Sequence, residues 1–373
     1  MFTGLYSHII SNYFCKEKKE KIYVIGNGWG SYFFVKNLDK SKYEPIIISP
    51  NKKVLDTPKL TNRVINSNEN VEFENNHAKH IEDILDDIDI ENKLLITKNK
   101  NSYNYSKVVL SIGSEPNDFN IEGVNENTLK LKSIQDADII NQKLNSINSY
   151  KNVYIIGSGI TGIELASKIN KSYNVILIEG LNSILQGFND LTKNAVSKYL
   201  IKEKNNITIK LNHLVKSIQK DKISVLHKNN NQNNNENINY DKNDLIIWSA
   251  GVRFNGYGKT QLYNTLNKIS PIKPRGLNVN DDFSIGKNID IFCIGDMVSN
   301  AGPPTAQNAK NQAEWLAKYF NNNLSKEYLE NNKYEIQSKG KLVHLDKVTY
   351  LESKYYSGYI PNFICKMIDY FQK

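Results

Sequence analysis

The stretch from Asn152 to Gly180, NVYIIGSGITGIELASKINKSYNVILIEG, decides the fold. Its first apolar run leads into three glycines that form a complete G-x-G-x-x-G pattern: Gly157, Gly159 and Gly162. A helical pattern follows, and a second apolar run ends in Glu179, 20 residues after Gly159. This spacing is typical of a βαβ unit that binds a dinucleotide, with the pyrophosphate at the helix N-terminus and the carboxylate on a ribose hydroxyl. We therefore predict that these residues bind NADH.

A similar pattern occurs earlier in the chain, in the stretch KIYVIGNGWGSYFFVKNL at residues 21–38. Its glycines are Gly26, Gly28 and Gly30, and Ser31 stands where the pattern has its third glycine. Two such units, 131 residues apart, predict two bound nucleotides, and we expect the small Ser31 to replace the packing glycine. The second apolar run of this unit ends in Ser-Pro rather than in an acid, so the two sites differ chemically.

Three further apolar runs lead directly into glycines, at Gly113, Gly251 and Gly295. The third run also delivers Asp296 to the carboxyl end of a strand, where open parallel sheets bind their ligands. We assign Gly113, Gly295 and Asp296 to an FAD site in the first unit and Gly251 to the NADH site. Two of these three strand-to-glycine runs are interpreted as connections between the two units.

Composition excludes several classes of protein. The net charge is +9 and the pI is near 9.0, but the lysines are scattered and no nucleic-acid recognition motif is present, so we predict no nucleic-acid partner. The three cysteines, Cys15, Cys293 and Cys365, lie far apart, and His77 and His80 have no third ligand nearby in sequence. We therefore predict neither a metal site nor a redox dithiol. No apolar run approaches the roughly 20 residues of a membrane span.

The predicted fold is α/β, with two Rossmann-like dinucleotide-binding domains and a short C-terminal region. Because 373 residues exceed what one core usually supports, two domains are the natural expectation. We expect the FAD-binding domain to be split by the NADH-binding domain, with these bounds: 1–132 and 286–323 for FAD, 133–285 for NADH, and 324–373 for the C-terminal region. The Asn-rich tract 227–244 is interpreted as a polar hairpin tip without a function of its own.

These motifs together resemble the type II NADH:quinone oxidoreductases, the non-proton-pumping NADH dehydrogenases found among the flavoproteins with two dinucleotide-binding domains. The resemblance extends from Lys21 to Phe320. Besides the two glycine patterns, it is carried by TPKL at 57–60, IWSAGV at 247–252, IFCIGD at 291–296 and GPPTAQNAKNQAEWLAKYF at 302–320. The last of these blocks is the most specific.

The resemblance implies hydride transfer from NADH to FAD and then two-electron transfer to a quinone at a membrane surface. It assigns three further residues to FAD: Thr57, Pro58 and Ala306. It also implies that Asp296 binds the ribityl hydroxyls of FAD. In the same way it places Glu164 between the nicotinamide and the flavin, and Gln307 beside the flavin and the quinone.

The chain also departs from the family's pattern. Asn51 replaces an arginine, Asp56 replaces an aromatic residue, and Lys310-Asn311 replaces a His-Gln pair. The C-terminal membrane region, longer in the family, is a short tail here. Two alternatives therefore stay open: a soluble NADH-dependent flavoprotein reductase with another acceptor, and a nucleotide-bound interaction protein that is not an enzyme.

The tail predicts an amphipathic helix, with Pro361 in its first turn. Six apolar residues recur there at helical spacing: Ile360, Phe363, Ile364, Met367, Ile368 and Phe371. This helix either packs on the protein or on a second subunit of a homodimer, or lies in a membrane interface. If the helix lies in a membrane interface, the resemblance implies a peripheral membrane protein, which in a eukaryote would be on the mitochondrial inner membrane. Otherwise we expect a cytoplasmic protein.

Overall fold

The computed structural model describes residues 19–146, 151–229, 232–336, 340–353 and 356–362. Its strands fall into seven sheets, of which two are large. The strands are β1 Glu20–Ile25, β2 Tyr43–Ile48, β3 Lys53–Leu55, β4 Glu72–Glu74, β5 Lys79–Ile81, β6 Leu85–Asp89, β7 Leu94–Thr97, β8 Ser102–Asn104, β9 Lys107–Leu110, β10 Ser114–Pro116, β11 Leu129–Lys130, β12 Asn152–Ile156, β13 Asn174–Ile178, β14 Ile207–Lys210, β15 His213–Ile218, β16 Lys222–Asn229, β17 Gln232–Asn239, β18 Leu245–Trp248, β19 Val252–Phe254, β20 Ser284–Ile285, β21 Asn288–Cys293, β22 Lys341–His344, β23 Val348–Glu352 and β24 Ser357–Pro361.

The helices connect and cover these strands. They are α1 Trp29–Asn37, α2 Leu60–Ile65, α3 Val124–Asn127, α4 Ile134–Leu144, α5 Ile160–Lys168, α6 Asp190–Lys198, α7 Gln261–Ile269, α8 Ala306–Asn321 and α9 Lys326–Asn331. Two 3₁₀ turns, Thr57–Lys59 and Gly295–Met297, and a π-helical segment, Tyr199–Lys204, complete the elements.

The first large sheet has six strands in the order β20-β21-β9-β1-β2-β5. Its four central strands pair in parallel, and only β20 runs antiparallel. β1, α1 and β2 form the first βαβ unit, whose apolar strands are buried on both faces as parallel strands usually are. α8 packs along α1, where the fully buried Phe320 lies between Phe34 and Phe292. A distant segment therefore completes the core of the first sheet.

The second large sheet has five strands, all parallel, in the order β11-β18-β12-β13-β14. β12, α5 and β13 form its βαβ unit. α2 packs against α4 and α5, and its Leu60 and Val64 belong to the core of this second sheet. A helix from the first part of the chain thus lies against the second unit. The first sheet takes strands from before and after the second unit in the sequence, as the predicted split of the first domain requires. The bounds of the domains stay a prediction.

Two of the three strand-to-glycine runs lead into segments that lie side by side. β10 follows Gly113, β19 follows Gly251, and the two strands pair antiparallel. Arg253 is largely buried between them and ion-pairs with Glu115 and Asp118, at 2.8 Å in each case. This two-stranded ribbon joins the two units, because β9 and β18, the strands before it, belong to different large sheets.

The Asn-rich tract is more regular than a loop. β16 and β17 pair along their whole length, from Lys222 opposite Asn239 to Asn229 opposite Gln232. β15 adds a third strand, and the apolar face of this hairpin sheet packs on the second large sheet through Val215 and Val225. The interpretation as a hairpin therefore describes the tract correctly, but most of it is strand.

The C-terminal region contains a three-stranded antiparallel sheet, β22-β23-β24, that the sequence analysis did not predict. Val343, Leu345 and Tyr350 join the core of the second large sheet. The predicted start of the tail helix is wrong, because Ile360 and Pro361 lie in β24, and the other five apolar residues of that helix lie outside the described residues. Among the described helices, none has the length and apolar character needed to cross a membrane.

Candidate cofactor-binding and active site

The first glycine pattern forms a tight turn between β1 and α1. The Gly26 amide donates to the Ile48 carbonyl at 2.9 Å, which ties the turn to the next strand. Gly26 has a φ of +96°, and a Cβ there would lie 2.4 Å from the Ser111 carbonyl oxygen. Only glycine fits this backbone position without strain. The turn therefore holds β1, β2 and the end of β9 at one edge of the sheet.

The two helices that follow the glycine patterns have no side-chain cap. Gly28 is the N-cap of α1 and Gly159 that of α5, and neither helix receives a capping hydrogen bond from a side chain. A Cβ at either glycine would meet no atom within 4 Å. Five other helices are capped by side chains, those of Ser133, Asn189, Thr260, Thr305 and Ser325. The space beside both N-cap glycines is therefore open, and no side chain caps the N–H groups that would bind an anionic pyrophosphate.

The predicted FAD residues converge on the segment after β9. Ser111 lies between Gly30 and Gly295. A Cβ added at Gly30 would be 2.6 Å from the Ser111 Oγ, and one added at Gly295 would be 3.6 Å from it. Three residues along, the Ser114 hydroxyl donates to Asp296 Oδ2 at 2.9 Å. The structure therefore brings the first fingerprint, Gly113, Gly295 and Asp296 to one edge of the first sheet.

Lys132 adds a positive charge to this group. Its ammonium donates to the Ser114 hydroxyl at 3.1 Å and lies 3.8 Å from Asp296. Lys132 is the last residue of the first predicted FAD segment and follows β11, the edge strand of the second large sheet, so this contact reaches from that sheet to the FAD edge. The Asp296 carboxylate is therefore held in place by neighbours from both units.

Helix α8 begins next to the same edge. Its fully buried Gln312 accepts from the Gly295 amide at 2.6 Å and donates to the Ala301 carbonyl at 2.9 Å. Ala306 and Gln307 form the first turn of α8. Gln312 therefore fixes the orientation of this turn relative to Gly295 and Asp296. Ser31, in α1, is fully buried, and within the described part of the chain its hydroxyl has no hydrogen-bond partner.

The NADH fingerprint is more tightly packed than the first. A Cβ at Gly162 would lie 2.1 Å from the Gly157 carbonyl oxygen, so α5 approaches β12 as closely as only glycine permits. Glu179 follows β13 and faces this turn, where its Oε2 accepts from the Ser158 amide at 2.9 Å and from the Ser158 hydroxyl at 2.6 Å. Gly251 lies at the carboxyl end of the neighbouring strand β18. These residues form the edge at which the resemblance places NADH.

Glu164 links the two units. It is 4% exposed, and its Oε2 accepts from the Thr61 hydroxyl at 3.0 Å. Its Oε1 accepts from the His344 amide at 2.9 Å, and the Lys168 ammonium lies 3.6 Å from Oε2. Thr61 follows the turn that contains Thr57 and Pro58, the segment assigned to FAD. The carboxylate predicted to lie between the two cofactors therefore contacts both units and the C-terminal sheet.

Lys168 completes this buried polar network. Its ammonium donates to the Thr61 hydroxyl at 2.7 Å. Burial lowers the pKa of Lys168, and the charge of Glu164 acts in the opposite direction. The network holds the carboxylate with donors from three segments, so its position depends on the packing of all three.

Two residues that depart from the family's pattern, Lys310 and Asp56, make side-chain contacts in this structure. Lys310 lies over the Phe33 ring, 4.5 Å from its centroid, and 3.9 Å from Glu314. Asp56 is buried beside the turn that starts at Thr57, with the Lys59 ammonium at 3.6 Å. These residues join α8 to α1 and fix the turn before α2.

The chain is similar to known proteins in sequence and in fold. A family described as pyridine nucleotide-disulphide oxidoreductase matches residues 20–313. The chain belongs to this family. The family is FAD-dependent, so the predicted cofactors FAD and NADH, the two-unit α/β fold and the assignment as an oxidoreductase are confirmed.

Individual relatives narrow the similarity. The chain is 30% identical to a probable NADH dehydrogenase of Dictyostelium discoideum, over 82% of this chain and 74% of the relative. It is 28% identical to the mitochondrial external NADH-ubiquinone oxidoreductase 2 of Saccharomyces cerevisiae, over 84% of this chain and 64% of the yeast protein. NDH2 from Plasmodium falciparum, solved with NADH, has the same fold, with a TM-score of 0.80, 20% identity and coverage of 95% and 94%. The predicted resemblance to NADH dehydrogenases is confirmed.

Sequence reasoning missed several residues of the site. Thr61, Lys132, Gln312 and His344 all contact predicted site residues, yet none belongs to a glycine pattern. Gln312 could have been identified as a site residue from the sequence, because it lies within the proline-led block at 302–320 that carries the resemblance. His344 contributes only its backbone amide, which leaves no signal in a sequence.

Glu179 predicts a preference for NADH over NADPH. A 2′-phosphate would face this carboxylate, at a cost of about 2 kcal/mol, so we expect kcat/KM to favour NADH at least tenfold. Substitution Glu179→Ser removes the negative charge and should narrow the ratio, measured by steady-state kinetics with both nucleotides. Asp190→Ser, which removes a carboxylate that is 90% exposed, is the matched control and should leave the ratio unchanged. Equal kcat/KM values in the parent protein would contradict the assignment.

Proposed function

We propose that this protein oxidises NADH through bound FAD and reduces a quinone, as a type II NADH:quinone oxidoreductase. The observation that carries the proposal is the contact between Glu164 of the NADH unit and Thr61, beside the predicted FAD turn. It joins the two predicted cofactor edges through one buried carboxylate. The names of the Dictyostelium and yeast relatives support NADH as donor, and the yeast name supports a quinone as acceptor.

The FAD-binding role follows from the edge of the first sheet. The uncapped N-terminus of α1 is suited to the pyrophosphate, and Asp296 to the hydroxyls of the ribityl chain. Ser114 and Lys132 orient Asp296 through their contacts with its carboxylate. When bound there, FAD supplies the chemistry that side chains lack, since it accepts a hydride and passes on two electrons.

The residues of the chain bind and orient the reactants. The N-terminus of α5 and Glu179 hold the adenosine half of NADH. Glu164 keeps its carboxylate fixed at the contact between the units. Gln307 lies in the first turn of α8, the helix whose Gln312 accepts from the Gly295 amide. We assign Glu164 to the nicotinamide side of the flavin and Gln307 to the quinone side.

The acceptor is tested with the purified full-length protein. We expect it to be yellow with non-covalent FAD and to oxidise NADH when a short-tailed quinone is added. NADH oxidation with ferricyanide but with no quinone would identify a reductase of another acceptor. If the protein contains flavin but fails to oxidise NADH with either the quinone or ferricyanide, it is an interaction protein and not an enzyme. Protein that stays colourless after refolding with excess FAD would contradict the whole proposal.

Glu164→Gln tests the contact between the units. The amide cannot accept from all the donors around it, so we expect flavin reduction by NADH to slow about tenfold, the effect of about 1.5 kcal/mol. FAD should remain bound, because the FAD edge is unchanged. Rapid-mixing absorbance of the flavin measures the rate, and Glu126→Gln, at an exposed carboxylate in the first turn of α3, is the control. Traces identical to the parent would reduce Glu164 to a packing residue.

We further propose that the tail associates with a membrane surface. The support is the helical spacing of its apolar residues from Phe363 to Phe371 together with the net charge of +9, which favours anionic lipid. Half-burial of five such side chains contributes roughly 4–8 kcal/mol before ordering costs, enough for reversible binding. Mitochondrial names among the relatives support the inner membrane as its location in a eukaryote.

Deletion of residues 363–373 tests this association. The β22-β23-β24 sheet is kept, so the second unit should fold as in the parent. We expect the shortened protein to lose sedimentation with anionic liposomes and reduction of a long-tailed quinone in them. Reduction of a short, water-soluble quinone should hardly change. If the intact chain never sediments with liposomes, or if deletion splits a homodimer, the tail is a packing element.

A further inference from the structure

Two histidines and a glutamate meet on the hairpin sheet, outside the two fingerprint turns. His213 of β15 lies directly opposite His227 of β16. In the neighbouring strand β17, Asn234 lies directly opposite His227. Glu236 follows two residues later, so it is the diagonal neighbour of His227 on the same face of the sheet. One side chain from each of the three strands therefore points to a common place.

The three side chains are close enough to share one ion. A ring nitrogen of each histidine and a carboxylate oxygen all lie within 4.8 Å of one another. His213 Nε2 is 3.7 Å from Glu236 Oε2, and His227 Nδ1 is 2.7 Å from Glu236 Oε1. Ligands of a tetrahedral zinc ion, with bonds of about 2.0–2.2 Å, lie about 3.3 Å apart. Binding requires small side-chain shifts to reach this separation. The proton with which His227 Nδ1 donates to Glu236 Oε1 moves to Nε2 or to solvent when the ion binds.

The hydrogen bonds of His213 prepare it as a ligand. Its Nδ1 lies 2.6 Å from the Leu211 carbonyl oxygen, which can only accept, so Nδ1 carries the proton. The lone pair is then on Nε2, the nitrogen that faces Glu236. A metal-binding histidine typically uses its second nitrogen in this way, to fix its tautomer and ring orientation. The His213 side chain is only 10% exposed, so its ring is held by packing as well.

The stacked histidine rings also favour a metal over a simple ion pair. Their centroids are 4.2 Å apart and their planes 19° from parallel. A single carboxylate needs only one histidine as a partner, whereas here two rings are held together beside one carboxylate. Two imidazole rings and one carboxylate form the two-histidine, one-carboxylate ligand set that zinc uses in proteins.

We propose that His213, His227 and Glu236 bind a zinc-class dication, with water in the fourth position. The ion joins β15, β16 and β17 and so stabilises the hairpin sheet. Because Lys210 lies near Glu236, its positive charge opposes the ion, and we expect a reversible site rather than a permanent structural one. The His213 amide also donates to the Glu179 carbonyl, at 2.8 Å, so the site adjoins the predicted ribose contact.

Titration of the FAD-loaded full-length protein with Zn²⁺ tests the site. Calorimetry should show one saturable equivalent per chain, and Zn²⁺ should raise the melting temperature by binding the folded state. Co²⁺ should give the intense visible bands of a tetrahedral site, at wavelengths beyond the flavin absorption. Absence of saturable binding, or a Co²⁺ spectrum that stays that of the hydrated ion, would overturn the proposal.

Two hairpin variants show whether these side chains are the ligands. Glu236→Gln and His227→Gln should each weaken Zn²⁺ binding at least tenfold and abolish the zinc-dependent rise in melting temperature. His77→Gln, which removes a histidine from the first unit, should bind Zn²⁺ as the parent does. Unchanged flavin content and circular dichroism show that the variants are folded. Equal Zn²⁺ affinity in the parent and both hairpin variants would overturn the proposal.

Discussion

The close approach of each fingerprint helix to its sheet is the constraint on which the rest of the structure depends. A Cβ at Gly162 would lie 2.1 Å from a backbone oxygen, and one at Gly30 would lie 2.6 Å from the Ser111 hydroxyl. Since α1 and α5 sit this close, their uncapped N-termini lie at the carboxyl edges of the two sheets. The proposed positions of FAD and NADH follow from these two edges.

The units are joined at points that also serve the site. Arg253 is buried between Glu115 and Asp118 in the ribbon of β10 and β19, and removal of one partner from such a pair usually costs about 3–5 kcal/mol. α2 packs into the core of the second sheet and carries Thr61 to Glu164. The C-terminal sheet adds the His344 amide to the same carboxylate. Stability of the contact between the units and geometry of the active site thus depend on the same elements.

The sequence predicted those features that depend on local spacing. Glycine patterns, the strand that ends in Glu179 and the proline-led block of α8 are all readable from neighbouring residues, and they led to the family and to both cofactors. The C-terminal sheet was missed, because helical spacing from Ile360 onward resembled an amphipathic helix while tertiary packing placed Ile360 in β24. The pairing of His213 with His227 was missed because it depends on strand register, which spacing along the chain does not reveal.

Anaerobic rapid mixing of the FAD-loaded protein with NADH tests the central claim most directly, namely that the two cofactor edges meet at the contact between Glu164 and Thr61. The account predicts that NADH bleaches the flavin absorbance at a rate that saturates with NADH concentration. A second mixing step with a short-tailed quinone should then restore the absorbance. Flavin that remains oxidised in the presence of saturating NADH would contradict the account, because it would show that the two edges do not bring the cofactors together.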